Sequence, residues 1–245
     1  MEKQQYLNAL ERNTEAMVAA ARKNLSAAVP TCPGWTVGHV LSHVGRAYNW
    51  MGEMVRQRAE QALPPSPDEF SFDPRDPGVI PWLEESLARF YGTMKETDPD
   101  QPVWSWAGDN RTGFWLRLEA HETAVHRADV ELALGEAEPI EPTLAADAVN
   151  GMVDWFLPRL RNISLLPSRG ERYLFRQTDG DQQWLLTFGK NGVTVSRELA
   201  ESDVTVAAPA SDILLFLWHR IPAERLSSEG NPDLLERYRD LVPGT

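Results

Sequence analysis

Glu122 and His126 stand four residues apart in the stretch Leu116-Arg117-Leu118-Glu119-Ala120-His121-Glu122-Thr123-Ala124-Val125-His126-Arg127-Ala128-Asp129. On a helix such a pair lies one above the other, so a carboxylate and an imidazole can reach one metal ion. From Thr112 to Leu134 there is no proline, and the one glycine before the end, Gly113, sits near the start, so the pattern predicts a helix. A catalytic metal usually takes three protein ligands and keeps one position open. The third must come from elsewhere, and the chain has only five histidines: His39, His43, His121, His126 and His219. His39 and His43 are themselves four apart on another helical stretch, and either can face a bundle interior. His43 lies among Leu41, Val44 and Ala47, near the apolar stripe, and His39 lies one turn closer to the preceding loop. His121 is about 100° around the helix from Glu122, which puts it on the flank of any small site. The spacing is HExxxH rather than HExxH, so the zincin arrangement is excluded.

Each of these residues also has an ordinary structural reading. An isolated histidine on an apolar face is more often a hydrogen-bonded core residue, and many helices carry Glu and His four apart as exposed polar pairs. A Glu-x3-His on one helix with a His on another would place three ligands inside a bundle, where such sites are commonly built. Spacing alone leaves both readings open. Asp129 follows His126 by three and suits either a partner that orients a ligand or a surface ion pair with Arg127 or Arg117. Cys32 is the only cysteine; its loop offers no base or cation in sequence to ionise a thiol, so it reads as structural. Arg220 can reach an anionic substrate, although arginine also ends helices for dipole reasons alone.

The elements that must hold these residues are legible from periodicity. Helical spacing covers 4–28, 37–62 with Thr36 as N-cap, and 79–96. The Cys32-Pro33-Gly34-Trp35 break separates the first two, and a Pro-rich connector runs from Pro64 through Pro77. The Glu122 helix is fourth, and a fifth starts at Pro142 and is expected to stop at Pro158. After about residue 165 the texture changes to strands at 173–177, 184–188, 193–196 and 203–206. Asn191-Gly192 signals a type I′ hairpin. Helices at 211–218 and 232–241 follow. The expected organisation is a helical bundle over 1–162 and a small α+β domain over 163–245.

Composition narrows the function. A formal charge of −12 opposes nucleic-acid binding, which needs a basic face. No run of about 18 apolar residues exists, so no membrane span is expected. The polar start, Met1-Glu2-Lys3-Gln4-Gln5-Tyr6, lacks a signal-peptide core, so a cytoplasmic protein is expected. With one cysteine, any metal here must rely on histidine and carboxylate ligands.

Three segments carry a family resemblance. Thr31-Cys32-Pro33-Gly34-Trp35-Thr36-Val37, followed by Leu41-Ser42-His43-Val44-Gly45, resembles the opening motif of the mycothiol-dependent maleylpyruvate isomerase family. Glu122-x3-His126-Arg127-Ala128-Asp129 resembles that family's Glu-x3-His-Arg-Trp-Asp, and Ala210 to Arg220 is similar to its C-terminal signature. The three occur in order across essentially the whole chain. The resemblance implies an α+β protein: a DinB-like four-helix bundle followed by a small α+β C-terminal domain. It further implies a divalent metal, typically zinc, on His43, Glu122 and His126, with mycothiol as thiol cosubstrate and Arg220 as an assisting catalytic residue. Ala128 stands where the family often has Trp, and His219 where Gly is usual, which points to a substrate other than maleylpyruvate.

The expected function is thus a metal-dependent enzyme that activates a low-molecular-weight thiol. Addition to an electrophilic small molecule would give S-transfer or cis–trans isomerisation. The alternatives are a metal-dependent hydrolase, with water in place of the thiol, and a non-catalytic metal-binding regulatory protein. A monomer or homodimer acting on small molecules is expected.

Overall fold

In a computed structural model of the chain, residues 1–64, 70–135, 137–162, 168–198 and 200–242 are described, without the side chains of 160–162. The chain divides into two compact units, Met1–Glu138 and Pro139–Thr245.

The first unit is built on four helices: α1 (Lys3–Ala21), α2 (Val37–Gln57), α3 (Val79–Glu96) and α4 (Thr112–Ala133). α1 packs on α3 and α4, and α2 packs on the same two. α1 stops well short of the expected residue 28. The carbonyls of Leu25 and Ala27 accept from Gly38 and Val37, so this stretch is committed to the start of α2 instead of another helical turn. α2 ends at Gln57 rather than 62 because Arg58 turns into the left-handed region (φ 48°) and Ala59 N–H closes back on Met54. The Pro-rich connector begins as expected, but its Pro65–Pro67 part lies outside the described residues.

α4 is the central element. Between Phe114 and Val130 every side chain except Arg117 and Glu122 is buried or nearly so, polar ones included. That polar content is partly matched across the bundle. The Tyr48 hydroxyl on α2 bonds Thr14 on α1 (2.9 Å) and Thr123 on α4 (2.7 Å). Tyr48 also stacks on Phe90 of α3 at 5.3 Å. Gly38 marks a close approach: a Cβ there would lie 1.9 Å from the Pro74 carbonyl oxygen.

The second unit starts with α5 (Pro142–Gly151), which loosens into a π turn over Met152–Phe156 and then tightens into a 3-10 helix, Leu157–Asn162. Pro158 therefore does not end the helical path but falls in the first turn of the 3-10 segment. α5 belongs to this unit by its contacts: it packs on α6 (Ala210–Leu217), and Asn150 accepts a hydrogen bond from the buried Trp184 indole at 2.8 Å. The division at 138/139 thus lies ahead of the 162/163 boundary expected from sequence, and residue 163 itself lies outside the described residues.

The remaining elements are β1 (Arg172–Gln177), β2 (Gln183–Gly189), β3 (Gly192–Ser196), β4 (Val204–Ala208), β5 (Ser228–Gly230) and α7 (Asp233–Leu241). The five strands form one sheet in the order β3-β2-β1-β4-β5, with β1 and β4 parallel and the other pairs antiparallel. The expected β2–β3 hairpin forms, with Gly189 opposite Gly192. It is not type I′, since that turn needs positive φ at Lys190 and Asn191, and among these residues only Gly192 has it (φ 116°). β5 carries no sequence signal of its own and exists because Val204 pairs with Gly230 and Val206 with Ser228. The core is aromatic: Phe216 and Tyr238 approach to 5.3 Å, Tyr173 and Tyr238 to 5.9 Å, and Phe188 packs edge-on against Tyr173 at 5.4 Å.

Candidate metal centre

α2 and α4, adjacent in the bundle, bring His43, Glu122 and His126 together, with one ligand atom from each lying within 4.8 Å of the others. The Nε2 of His126 is 3.6 Å from a Glu122 carboxylate oxygen, and the His43 and His126 rings meet edge to face at 4.9 Å. Burial is graded across the three: His126 is buried, Glu122 half-buried, and His43 opens to the surface. The donor set, two imidazoles and one carboxylate, is the type used by catalytic zinc sites.

His126 is held from behind. Its Nδ1 donates to Asp129, which is wholly buried, at 2.9 Å, leaving Nε2 facing Glu122. A carboxylate in this position fixes the ring's tautomer and orientation. Asp129 is therefore not a surface partner of Arg127, whose guanidinium bonds Glu131 (2.6 Å) and the Glu138 carbonyl (3.0 Å). Asp129 in turn accepts from the Thr31 hydroxyl at 2.5 Å and from the Cys32 thiol at 3.7 Å. Cys32 is buried at this junction, in keeping with a structural role.

Electrostatics separate the two imidazoles. Loss of water around the ring, the His126 charge and Arg46 push His43 down to about 4, against the opposing pull of Glu122 and Asp129. Burial also pushes His126 down, but its hydrogen bonds and charge interactions with Asp129 and Glu122 outweigh that and raise it to about 9. Glu119, one turn before Glu122, is 1% exposed, and neither of its carboxylate oxygens has a hydrogen-bond partner among the described residues. Burial and then the Glu122 charge push it well above the usual carboxylate range.

The other histidines serve elsewhere. His39 closes the start of α2: its Nδ1 accepts from the Thr36 N–H (3.2 Å) and pairs with the Thr36 hydroxyl (2.9 Å). His121 is on a different face of α4 from the three, as its angle predicts, but it is buried against Tyr6 of α1 rather than flanking the site. His219 sits in the left-handed region (φ 64°). That conformation favours glycine, which explains why glycine would suit the position. Arg220 belongs to the second unit, where its side chain is buried and donates to the Trp218 carbonyl at 2.7 Å. Ala128 is also wholly buried.

Two residues near the centre were not singled out from sequence. Glu119 carried a usable signal, since it falls on the same stripe as Glu122 and His126. Thr31 stands in the Thr31–Val37 motif, but nothing local points to Asp129, since that link spans 98 residues.

The model of the mycothiol maleylpyruvate isomerase N-terminal domain matches residues 7–131, and that of the MDMPI C-terminal domain matches residues 143–237. A crystal structure of the mycothiol-dependent maleylpyruvate isomerase superposes with a TM-score of 0.66 at 13% identity, covering 94% of this chain and 93% of that one. The structure of a histidine-to-alanine mutant of that isomerase gives a TM-score of 0.65 with the same identity and coverage. At this identity the likeness establishes a shared α+β fold. No curated protein sequence matches the chain. Since the first domain model alone covers more than half of the chain and the two together nearly all of it, the chain belongs to the mycothiol maleylpyruvate isomerase family.

Proposed function

We propose that this protein is an enzyme that uses mycothiol against an electrophilic small molecule, at a divalent metal held by His43, Glu122 and His126. The observation that carries this reading is the convergence of those three side chains from α2 and α4 within 4.8 Å. Their chemistry suits zinc: two imidazoles, with His126 giving up its extra proton as the ion binds, and one carboxylate would leave a divalent ion with net positive charge and an open position. Such an ion would supply the Lewis acidity that brings a bound thiol to its thiolate near neutral pH.

The chain's own residues orient and enclose. Asp129 holds the His126 ring so that Nε2 faces Glu122. Trp35 packs on the His43 ring at 5.2 Å and limits where that imidazole can swing. In the proposed chemistry, mycothiol sulfur adds to an electrophilic carbon of the substrate. If the adduct is released, the reaction is S-transfer. If rotation about the former double bond precedes expulsion of the thiol, it is cis–trans isomerisation, as the relatives' name indicates for them. The same three ligands serve both outcomes.

The test is metal analysis of the purified full-length chain, followed by mycothiol-dependent turnover of a panel of electrophiles that includes maleylpyruvate. His43→Ala, Glu122→Ala and His126→Ala should each lower metal affinity and thiol-dependent turnover by at least about 100-fold, because loss of an outer partner alone costs 10- to 100-fold. Retention of full metal content and thiol-dependent activity in any of the three would remove that residue from the site. Turnover that needs no thiol would overturn the mycothiol reading.

A further inference from the structure

We propose that Thr31 is a positioning residue for His126, acting through Asp129. The inference rests on the metal-centre reading for its functional meaning and on hydrogen-bond geometry for its existence.

The buried Asp129 carboxylate has its two oxygens committed differently. Oδ1 accepts from the Thr31 hydroxyl at 2.5 Å, and Oδ2 accepts from His126 Nδ1 at 2.9 Å, with the Cys32 thiol also near Oδ2 at 3.7 Å. A carboxylate can rotate about its last torsion, a broad and soft one. A donor on Oδ1 pins that rotation and so keeps Oδ2 aimed at the imidazole. Thr31 supplies the shorter of the two contacts from the loop, and a hydroxyl donates far better than a thiol.

The loop is built to hold Thr31 still. Val29 N–H bonds the Trp35 carbonyl (3.0 Å), Cys32 N–H the Val29 carbonyl (3.2 Å), and Trp35 N–H the Cys32 carbonyl (3.0 Å). Ala28 and Thr36 form an isolated bridge, so the loop is tied at its neck. Gly34 takes the left-handed turn that closes it (φ 84°). The same loop leads directly into α2, which carries His43. One short segment thus launches the helix of one proposed ligand and clamps the carboxylate that orients another.

Thr31→Val keeps the shape of the side chain and removes the donor. In the full chain, zinc affinity measured by competition with a chromophoric chelator should fall by up to about 10-fold, the low end of the 10- to 100-fold cost of losing a group bonded directly to a ligand, because Thr31 acts one bond further out. Thr31→Ser should restore affinity to within a few-fold, and Cys32→Ala should change it much less than Thr31→Val. In parallel, 15N-edited NMR of the metal-free protein should show the His126 Nδ1–H held by Asp129 in the wild type and weakened in Thr31→Val. If valine prevents folding, Thr31→Ala replaces it. Wild-type zinc affinity in Thr31→Val, or equal loss in Thr31→Val and Thr31→Ser, would overturn the proposal. Should the wild-type chain take up no zinc, the metal reading fails separately. The NMR signal then decides: its loss in Thr31→Val supports the positioning role, and its persistence overturns it.

Discussion

Glu119 presents the sharpest energetic anomaly at the scale of single residues. A carboxyl that is 1% exposed, with neither oxygen hydrogen-bonded among the described residues, is expensive in either protonation state, and burial and then the Glu122 charge push its pKa up, in favour of the neutral acid. An unsatisfied buried polar group costs roughly 1–3 kcal/mol of desolvation. Glu119→Leu should therefore raise the stability of the metal-free protein by about 1–3 kcal/mol, read as a higher urea midpoint. A lower midpoint would mean that the carboxyl has a partner worth keeping. His126 shows the opposite arrangement, a buried ionisable group with both ring nitrogens facing carboxylates. The contrast explains why the eye falls on Glu122 and His126 in the sequence but not on Glu119: periodicity places all three on one stripe, and only coordinates reveal which of them lacks a partner.

At the scale of elements, α2 and α4 matter most because they hold the three converging side chains. α2 is located by contacts at its first turn, where Gly38 allows the Pro74 carbonyl to approach and Ser42 bonds the Phe72 carbonyl at 2.7 Å. A methyl group at Gly38 would collide with backbone, which cannot swing away as a side chain can. Gly38→Ala should cost about 1–3 kcal/mol, the range for overpacking a tight contact. An unchanged denaturation midpoint would show that the segment before α3 does not press on α2. Helix α4 was legible in outline because no breaker interrupts it. Its degree of burial was not, since a helix packed on nearly all sides yet rich in Glu, His, Arg and Asp carries no clean amphipathic pattern. The ends of α1 and α2 differ from the pattern for a related reason: apolar spacing continues past the point where the backbone turns away, at α1 toward the start of α2 and at α2 into its own left-handed cap.

At the scale of the whole molecule, the two units have different anchors. The second is fastened in part by Glu171, which accepts from Arg237 on α7, from the Ser168 hydroxyl (3.0 Å) and from the Arg169 N–H (2.7 Å). Burial raises its pKa, but these hydrogen bonds outweigh it and hold the carboxyl down at about 2, against an ordinary value of 4.5. A carboxylate depressed in the folded state contributes stability that is fully present above its unfolded pKa and is lost as pH falls through the folded one. The wild-type chain should thus lose thermal stability between about pH 4.5 and pH 2. Glu171→Gln should be less stable at pH 6, with a shallower loss over that window. Parallel curves for the two proteins would rule out this contribution. No helix among the described residues is long and apolar enough to cross a membrane, as the hydropathy of the sequence indicates.

The sequence by itself determined the helix-then-sheet order, the α+β class, most helix starts and a short set of candidate ligands, because periodicity, caps and breakers are local and the five histidines are few enough to weigh one by one. Only the tertiary structure decided that His43 rather than His39 meets Glu122 and His126, since the choice depends on which face of α2 meets α4 and on Thr36 claiming His39. It also decided that α5 packs on α6 of the second unit, and that Thr31 reaches Asp129 across 98 residues. Those contacts join segments distant in the chain, and no local pattern encodes them.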